Sequence, residues 1–339
     1  MRHKVLVWEA DQRLGGQIHT VRPRAKLPPG FVVELGAEGY VARSEALPKL
    51  ARELDMPDAL IGQQEMRSLG YRAGSLSVLA PGESAAFLGF QVPKEDLGVG
   101  IRSCRNGMGQ LIDALQTKLA SDVELRLGAA VQHIDRRARG FELRGKDGAS
   151  LTADKLILAC GARAAAPLLG PVIGPAAEDL LQTTAHSSVN VSFAFERASI
   201  SHALDASGVV VASEDQQHGA RAVVFASSKF AGRAPEGYAN LRVFFRPDPR
   251  ELKMLTDAAY TARALEVLER LLGPVGRPLE SWVARWPDAL PVFDASSQTI
   301  LKALDTALSG SGIAVAGSAF HGSGIDAAVR SGLSVDQRL

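Results

Sequence analysis

Cysteine is scarce in this chain of 339 residues: Cys104 and Cys160 are the only two, and neither belongs to a C-x-x-C pair. Their number and spacing argue against a disulfide framework, a zinc site or an iron–sulfur cluster, and are typical of a reducing compartment. Long apolar runs are also lacking, since none approaches the roughly 20 residues that cross a bilayer, and the N-terminus has no apolar signal-peptide core. The sequence therefore predicts a soluble, cytoplasmic protein and leaves peripheral contact with a membrane open.

A surplus of either charge is absent as well, because 38 Lys and Arg residues are balanced by 37 Asp and Glu residues. This balance does not favour a nucleic acid as a partner. No H-E-x-x-H or D-x-D pattern predicts a metal site, and no G-x-S-x-G turn predicts a serine nucleophile. The seven histidines stand apart from any nucleophile or carboxylate pattern, so the catalytic residue stays unassigned. His321, in a glycine-rich loop, is the most interesting of them.

What the chain does contain is short apolar strands near both ends. Residues 4–8, 156–159 and 312–316 are continuous apolar runs, typical of buried parallel strands. Extended, partly alternating segments at 188–195, 222–226 and 239–245 predict an antiparallel sheet between them. Helices are predicted at 44–54, 109–119, 252–272 and from about 326, and a hairpin around the turn at 146–148. This order suggests a nucleotide-binding core with an inserted substrate domain.

Glu9 stands at the carboxyl end of the first strand. A carboxylate there can accept hydrogen bonds from both ribose hydroxyls of an adenine nucleotide, as on the second strand of a dinucleotide fold. That fold places a glycine fingerprint about 20 residues before the acid, and no such fingerprint precedes Glu9. Taken alone, Glu9 is better interpreted as a solvated strand end.

Arg13, Gly15 and Gly16 follow closely and change this interpretation. Paired glycines let the backbone pass near a ligand, and an adjacent arginine can meet a diphosphate. The segment from Glu9 to Gly16 resembles the E-x-x-x-R-x-G-G signature of flavin-dependent amine oxidases, phytoene desaturases and protoporphyrinogen oxidases. The resemblance implies that these residues bind FAD.

The segment ELGAEGY resembles the next flavin loop of the same superfamily. The resemblance implies cofactor contacts from four consecutive residues, Gly36, Ala37, Glu38 and Gly39. Residues 105–119 resemble the G-G-M-x-x-L-x-x-A-L helix that follows in these proteins.

Two strand segments continue the resemblance in the same order. In residues 123–135, the backbone of Val131 takes the position that meets the adenine in this superfamily. Residues 155–169 resemble its V-I-x-A-x-P strand, which implies that Ala159 lies beside the cofactor.

Residues 312–332 resemble the closing flavin motif, in which a strand and a glycine turn lead into a helix whose N-terminus faces the flavin. A helix N-terminus offers free N–H groups and partial positive charge to such a ligand. The resemblance implies cofactor contacts from Gly317, Ser318, Gly324, Ile325 and Asp326. Five matches in one order over most of the chain indicate homology.

RWPDALPVF, residues 285–293, resembles the W-x-x-x-[IL]-P-Q-Y segment of the protoporphyrinogen oxidases in particular. The aromatic pair that surrounds the flavin in amine oxidases has no counterpart that can be placed here. Trp286 and Phe293 are therefore predicted to line an apolar tetrapyrrole pocket, although a core position is commoner for a lone aromatic.

Two parts of the family pattern are missing from the sequence. One is the strand–glycine–helix unit before the acidic strand, which normally holds the diphosphate through its backbone and helix dipole. The other is a helical region that covers the substrate entrance, replaced here by a short segment from about residue 87 to 106. The resemblance is thus to a shortened member of the family.

The expected fold is α/β: an FAD-binding dinucleotide fold of glutathione-reductase type that lacks its first βα unit, with an inserted antiparallel substrate domain. The expected FAD domain comprises residues 1–56, 105–170 and 296–339, the shortened lid residues 57–104, and the substrate domain residues 171–295. The resemblance implies an FAD-dependent oxidase of a protoporphyrinogen-type tetrapyrrole in haem biosynthesis, acting by hydride transfer to flavin N5.

Two alternatives to this function stay open. The first is a non-catalytic remnant of an FAD fold. The second is a related flavin amine oxidase or carotenoid desaturase. A homodimer is also left open by the sequence.

Overall fold

The computed structural model describes residues 4–25, 27–88 and 98–339. Its strands are β1 (Val5–Trp8), β2 (Thr20–Val21), β3 (Val33–Glu34), β4 (Tyr40–Val41), β5 (Leu60–Gly62), β6 (Leu69–Arg72), β7 (Ser75–Val78), β8 (Ile101–Cys104), β9 (Val123–Arg126), β10 (Val131–Arg136), β11 (Phe141–Gly145), β12 (Ser150–Ala153), β13 (Leu156–Leu158), β14 (Ala185–Glu196), β15 (Gly208–Val211), β16 (Ala220–Phe225), β17 (Tyr238–Phe245), β18 (Glu280–Pro291) and β19 (Ile313–Val315). Its α-helices are α1 (Ala46–Glu53), α2 (Glu83–Phe87), α3 (Gly109–Leu119), α4 (Ala162–Ile173), α5 (Pro175–Glu178), α6 (Ala226–Lys229), α7 (Pro249–Met254), α8 (Asp257–Leu272), α9 (Ala295–Leu308) and α10 (Ile325–Leu333). Residues 89–97, which belong to the predicted lid, lie outside the described residues.

Seven strands form one large sheet in the order β18-β14-β17-β16-β15-β6-β7. The strands β18, β14, β17 and β16 are antiparallel neighbours, which confirms the antiparallel sheet predicted from the alternating segments. Alternate side chains of these strands, such as Val191, Leu241 and Val243, are fully buried in one core with the apolar face of α8. One face of the sheet is thereby sealed by a helix.

Two pairs of parallel strands lie outside this sheet. β1 pairs with β9, with Val5 opposite Val123, and β13 pairs with β19, with Leu156 opposite Ile313. These pairings confirm the parallel strands predicted near both ends of the chain. The prediction that residues 4–8 form a buried strand is wrong, because Val5 and Val7 are exposed. Within the described residues each of the four strands has a single neighbour, and Val5 on β1 is 45% exposed.

A small antiparallel sheet of β10, β11 and β12 confirms the predicted hairpin. Ile134 and Phe141 of this sheet are buried with Leu169 of α4 and Leu304 of α9. The same core contains β13 and β19, so the second parallel pair is held by helices and by this small sheet.

The single helix predicted over residues 252–272 is wrong, because two helices occupy that region. Asp248 begins α7: its carboxylate accepts hydrogen bonds from the N–H groups of Arg250 and Glu251 at 2.7 and 2.8 Å. Thr256 then begins α8, its hydroxyl accepting from the N–H of Ala259 at 3.2 Å. Two capping residues of preferred type in one apolar stretch specify two helix starts.

Residues 57–88 hold more regular structure than their weak periodicity predicts. β6 and β7 form an antiparallel hairpin, and β6 adds to the large sheet in parallel with β15. No helix in the described part of the chain is both long and apolar enough to cross a membrane.

Candidate active site

The second face of the large sheet is polar. Between the buried apolar side chains of β14 and β17 lie Asn190, Ser192, Asn240 and Arg242, each at most 3% exposed. Because successive side chains of a strand point to opposite faces, these four share the face that points away from α8. A buried polar face needs hydrogen-bond partners.

The chain segment 31–38 crosses one half of this polar face and supplies the partners. Side chains of the sheet donate hydrogen bonds to main-chain oxygens of the segment: Asn240 Nδ2 to Val32 O at 3.1 Å, Ser192 Oγ to Glu34 O at 3.3 Å, Arg242 Nη2 to Gly36 O at 2.5 Å, and Trp286 Nε1 to Leu35 O at 2.7 Å. The predicted flavin loop is therefore fixed to the sheet through its backbone.

Two carboxylates of this segment lie among buried basic side chains. Glu38 forms an ion pair with Lys229, whose side chain is 8% exposed. Burial raises the pKa of Glu38, but the charges of Lys229 and Arg242 outweigh it and hold that pKa below its ordinary value. Burial also raises the pKa of Glu34 and prevails there, although the N–H of Met108 donates to that carboxylate at 2.6 Å.

Asn190 and Arg242 keep buried polar atoms that find no partner in the described part of the chain. These atoms are Oδ1 of Asn190 and both Nε and Nη1 of Arg242. The guanidinium of Arg242 lies 4.4 Å from the ring centroid of Phe244, two residues along β17. Orphaned atoms of this kind, next to the uncovered half of the polar face, are available to a bound ligand.

A cleft of about 440 Å³ opens beside β18, a size that suits a small-molecule site. Four predicted site residues line it: Arg13, Gly16, Trp286 and Phe293. Ala319, which follows the predicted Ser318, lines it too. The structure thus brings together residues from the start, the middle and the end of the chain.

Trp286 and Phe293 serve the cleft and the core at once. Both are half-buried; Trp286 packs with the residues that include Leu35, and Phe293 packs against the core that contains α4 and α9. Each ring therefore presents one side to the protein interior and contributes another to the cleft wall.

The loop after β1 is held by its own side chains. Oε1 of Glu9 accepts a hydrogen bond from the N–H of Asp11 at 2.8 Å. Arg13 Nη1 donates to the main-chain oxygens of Leu14 and Ile18 at 3.1 and 3.0 Å. Arg13 therefore shapes the loop that carries Gly16, and its guanidinium carbon lies 5.9 Å from the ring of Trp286.

The predicted glycines fall into two groups. A Cβ atom added at Gly15, Gly36 or Gly39 would lie 2.8, 1.8 or 2.5 Å from a main-chain oxygen of the protein itself. These glycines are required for packing of the backbone. By contrast, a Cβ atom at Gly16 or Gly324 would meet nothing within 4 Å, and at Gly317 its nearest neighbour would be 3.8 Å away.

The C-terminal motif forms a strand, a turn and a helix, as predicted. Gly324 precedes α10, and no side chain caps the N–H groups of its first turn. Asp326 is 6% exposed, and its two carboxylate oxygens accept from Ser44 Oγ at 2.6 Å and Arg330 Nε at 3.0 Å. Asp326 thus ties α10 to the start of α1, while Ile325 and Ser318 are half-buried.

His321 belongs to this C-terminal turn, and its ring nitrogens are engaged by the protein. Nδ1 lies 3.1 Å from Ser331 Oγ, and Nε2 lies 3.6 Å from a carboxylate oxygen of Asp305. Burial lowers the pKa of His321, and the charge of Arg338 lowers it further, against the opposing charge of Asp305. With these two contacts His321 links the turn to α10 and to α9.

Val131 and Ala159 do not line the cleft. The N–H of Ala129 donates to the main-chain oxygen of Glu9 at 2.9 Å, which places the start of β10 beside the end of β1. Ala159 is exposed at the carboxyl end of β13. Its neighbour Cys160 has a pKa raised by burial and further by the charge of Glu9.

Sequence reasoning missed the polar sheet face and the basic partner of Glu38. Asn190, Arg242 and Lys229 lie in segments with no motif around them. The available signal was the alternation of polar and apolar residues along β14 and β17, which predicts one polar sheet face but not that this face is buried.

The whole chain matches one family model: residues 1–73 and 64–339 match Flavin containing amine oxidoreductase. The chain belongs to this family. The family description confirms the predicted superfamily and gives a flavin as the cofactor class.

The chain is similar to curated coproporphyrinogen III oxidases in sequence and to a solved structure in fold. The chain is 36% identical to Coproporphyrinogen III oxidase of Propionibacterium freudenreichii subsp. freudenreichii over 66% of its own length, but it spans only 42% of that protein. It is 22% identical to Coproporphyrinogen III oxidase of Bacillus subtilis (strain 168), with 94% of this chain and 87% of that protein covered. A provisionally named protoporphyrinogen oxidase from Exiguobacterium sp. 255-15 shares the fold, with a TM-score of 0.80, 20% identity and coverage of 97% and 91%.

The residues present fit a flavin nucleotide at two places. Glu9 is half-buried at the end of β1, beside the start of β10, and a carboxylate at a strand end is the type of group that binds a ribose. Gly16 and Gly324 leave open space above their backbone, and α10 offers uncapped N–H groups. The described residues contain no Gly-x-Gly-x-x-Gly turn, so the fit is to the two ends of the nucleotide.

Proposed function

We propose that this chain binds FAD and oxidises a porphyrinogen, a reduced tetrapyrrole, in porphyrin biosynthesis. The observation that carries the proposal is the cleft in which Arg13 and Gly16 of the nucleotide motif meet Trp286 and Phe293 of the substrate region. The proposal is supported by two curated relatives, both named Coproporphyrinogen III oxidase, whose sequence similarity covers 66% and 94% of this chain. Contact with a membrane and a homodimeric state stay predictions.

The residues have distinct parts in this proposal. Glu9 accepts hydrogen bonds from the ribose of FAD, and the open backbones at Gly16, Gly317 and Gly324 approach the cofactor closely. When bound, a flavin supplies two-electron oxidation of a carbon centre. Trp286 and Phe293 bind the apolar faces of the macrocycle and exclude water.

The cofactor is tested by an absorption spectrum of the purified chain after incubation with FAD and desalting. We expect flavin bands to remain with the protein, because the two ends of the nucleotide have fitting residues. FMN lacks the adenosine, so it should be retained less. Glu9→Gln should lower retention of FAD but not of FMN, since it removes only the ribose acceptor. Glu45→Gln, an exposed glutamate before α1, is the matched control.

A colourless, folded protein after this treatment would contradict the proposed cofactor. The substrate is tested with coproporphyrinogen III and protoporphyrinogen IX, followed by the fluorescence of the porphyrin product. An FAD-loaded chain that oxidises neither compound faster than buffer with FAD would contradict the proposed reaction.

A further inference from the structure

Three basic side chains gather on the half of the polar sheet face that segment 31–38 leaves uncovered. They are Arg221 of β16, Arg246 directly after β17, and His186 of β14, all half-buried. The strand register brings them together: Phe245, next to Arg246, lies opposite both Val189 of β14 and Ala220 of β16, and the N–H of Arg246 donates to the main-chain oxygen of Gly219 at 2.8 Å. After burial, the charges of Arg246 and Arg221 lower the pKa of His186, and the charge of Arg246 lowers the pKa of Arg221. None of the three was singled out by a sequence motif.

These cations lack an acidic partner among the described residues. Arg221 donates through Nη2 to the main-chain oxygen of Leu88, and its buried Nε has no hydrogen bond. Arg246 makes no ion pair in the described part of the chain, and burial alone lowers its pKa. Two guanidinium groups placed side by side and partly out of water are costly unless an anion joins them.

The carboxylates on the adjoining elements are engaged elsewhere. The carboxylate of Asp248 accepts hydrogen bonds from two N–H groups in the first turn of α7. Glu251 forms an ion pair with Arg263 at 2.8 Å. Glu83 of α2 accepts from the N–H of Ala80 at 2.7 Å. The anion that the cluster suits is therefore one that comes from outside these elements.

A second observation points to a ligand at the same face. Asn190 is paired with Phe244 in the register of β14 and β17, and its buried Oδ1 has no partner among the described residues. Arg242, stacked on Phe244, holds two further unpartnered nitrogens. The polar atoms left open thus continue from the flavin loop towards Arg246.

The cluster lies two strands away from Trp286 in the wall of the cleft. Trp286 on β18 pairs with Ser188 on β14, and β17, which leads into Arg246, is the next strand. Two inter-strand spacings, about 10 Å, separate Trp286 from the strand of Arg246. A single broad, flat ligand can therefore touch the aromatic wall and the cations at once.

We infer that Arg221 and Arg246, with His186 beside them, form a binding site for the side-chain carboxylates of the substrate. The inference rests on the proposed function and narrows it to tetrapyrroles with acidic side chains. Each guanidinium presents a planar fork that matches a carboxylate, and the imidazole adds one more hydrogen-bonding group.

The test is binding of a finished porphyrin, which requires no turnover and no flavin. Coproporphyrin III carries carboxylate side chains, and its tetramethyl ester does not; both are titrated by fluorescence in the same detergent buffer. We expect the wild-type chain to bind the acid, and to bind the ester at least about ten-fold more weakly, because a charge-assisted hydrogen bond is worth that much or more. Arg246→Gln should weaken binding of the acid by a similar factor and leave the ester unchanged.

Two further variants make the result specific. Arg246→Lys keeps the charge but loses the fork, so it should recover part of the affinity for the acid. Arg139→Gln changes the same charge in the exposed turn between β10 and β11 and should bind like the wild type.

Each other outcome has its own meaning. Equal binding of acid and ester by the wild type, or unchanged binding by Arg246→Gln, would overturn the carboxylate site and leave a porphyrinogen oxidase standing. Failure of the wild type to bind either porphyrin would overturn the proposed function together with this site.

Discussion

Lys229 and Glu38 form a buried ion pair that joins the large sheet region to the predicted flavin loop. Lys229 closes α6 between β16 and β17, while Glu38 follows the backbone that Arg242 also holds. The pair therefore links two parts of the chain that are about 190 residues apart.

Removal of Lys229 alone should be strongly destabilising. Lys229→Met leaves the carboxylate of Glu38 buried without its main partner, which typically costs about 3–5 kcal/mol. Urea unfolding measures the difference. Lys229→Met combined with Glu38→Gln should recover a large part of that loss, and Lys49→Met, which breaks an exposed pair with Glu53, should cost less than about 1 kcal/mol. Equal effects of the Lys229 and Lys49 substitutions would contradict the buried pair.

The same pair predicts how stability depends on pH. The pKa of Glu38 is held below 4.5 in the folded chain, chiefly by Lys229 against the opposing effect of burial. As the pH falls, the unfolded chain therefore binds a proton at Glu38 before the folded chain does. The stabilisation is present above pH 4.5 and is lost as the pH falls through the lower pKa of Glu38 in the folded chain. The difference in unfolding free energy between the wild type and Glu38→Gln should shrink on acidification below 4.5. A difference that stays constant would show that Glu38 titrates normally.

Substitutions at two glycines of the nucleotide motifs should differ in their effects: one should lower the stability of the chain, and the other should lower its retention of FAD. Gly36→Ala places a Cβ atom 1.8 Å from the main-chain oxygen of Gln17, so the loop must move and the chain should lose stability. Gly16 has a φ of 53° and open space around it, and Asn tolerates that conformation. Gly16→Asn should therefore unfold near the wild-type midpoint yet retain less FAD. Full FAD retention by Gly16→Asn would remove Gly16 from the cofactor site.

The two cysteines should differ in reactivity. Cys104 is fully buried, and burial raises its pKa to about 11. Burial also raises the pKa of Cys160, but this residue is exposed at the end of β13, so a reagent can reach it. A maleimide should label one thiol in the folded chain and two after unfolding, and Cys160→Ser should abolish the native labelling. Added FAD should protect Cys160, since its neighbour Ala159 is predicted to contact the cofactor. Labelling that FAD does not slow would argue against Ala159 as a cofactor contact.

The regular elements that carry motifs were predictable to within a few residues. β1, β13 and β19 follow from short apolar runs, and α3 has the predicted bounds of Gly109–Leu119. Local pattern predicts β19 and α3 because β19 is buried along its whole length and α3 packs Leu111, Ala114 and Leu115 into one core.

The candidate site was predictable only at residues that belong to a family motif. Motif resemblance selected Arg13, Gly16, Trp286 and Phe293, which line one cleft. It did not distinguish Gly36 from Gly16, because a glycine needed for backbone packing and a glycine facing a ligand look alike in sequence. It also missed Arg221 and Arg246, whose closeness depends on strand order and on a bulge in β16, between Ala220 and Ala222.

The parallel pairing of β6 with β15 has a consequence for how the chain folds. Leu69 lies opposite Val209, and Ser207 Oγ donates to the main-chain oxygen of Arg67, 140 residues earlier. Contacts this distant in sequence close a large loop and form late and slowly. During synthesis the β6–β7 hairpin therefore leaves the ribosome long before its neighbouring strand exists, and its exposed strand edge must stay unpaired until about residue 211 has emerged. That interval is when the nascent chain is most open to pairing with another copy.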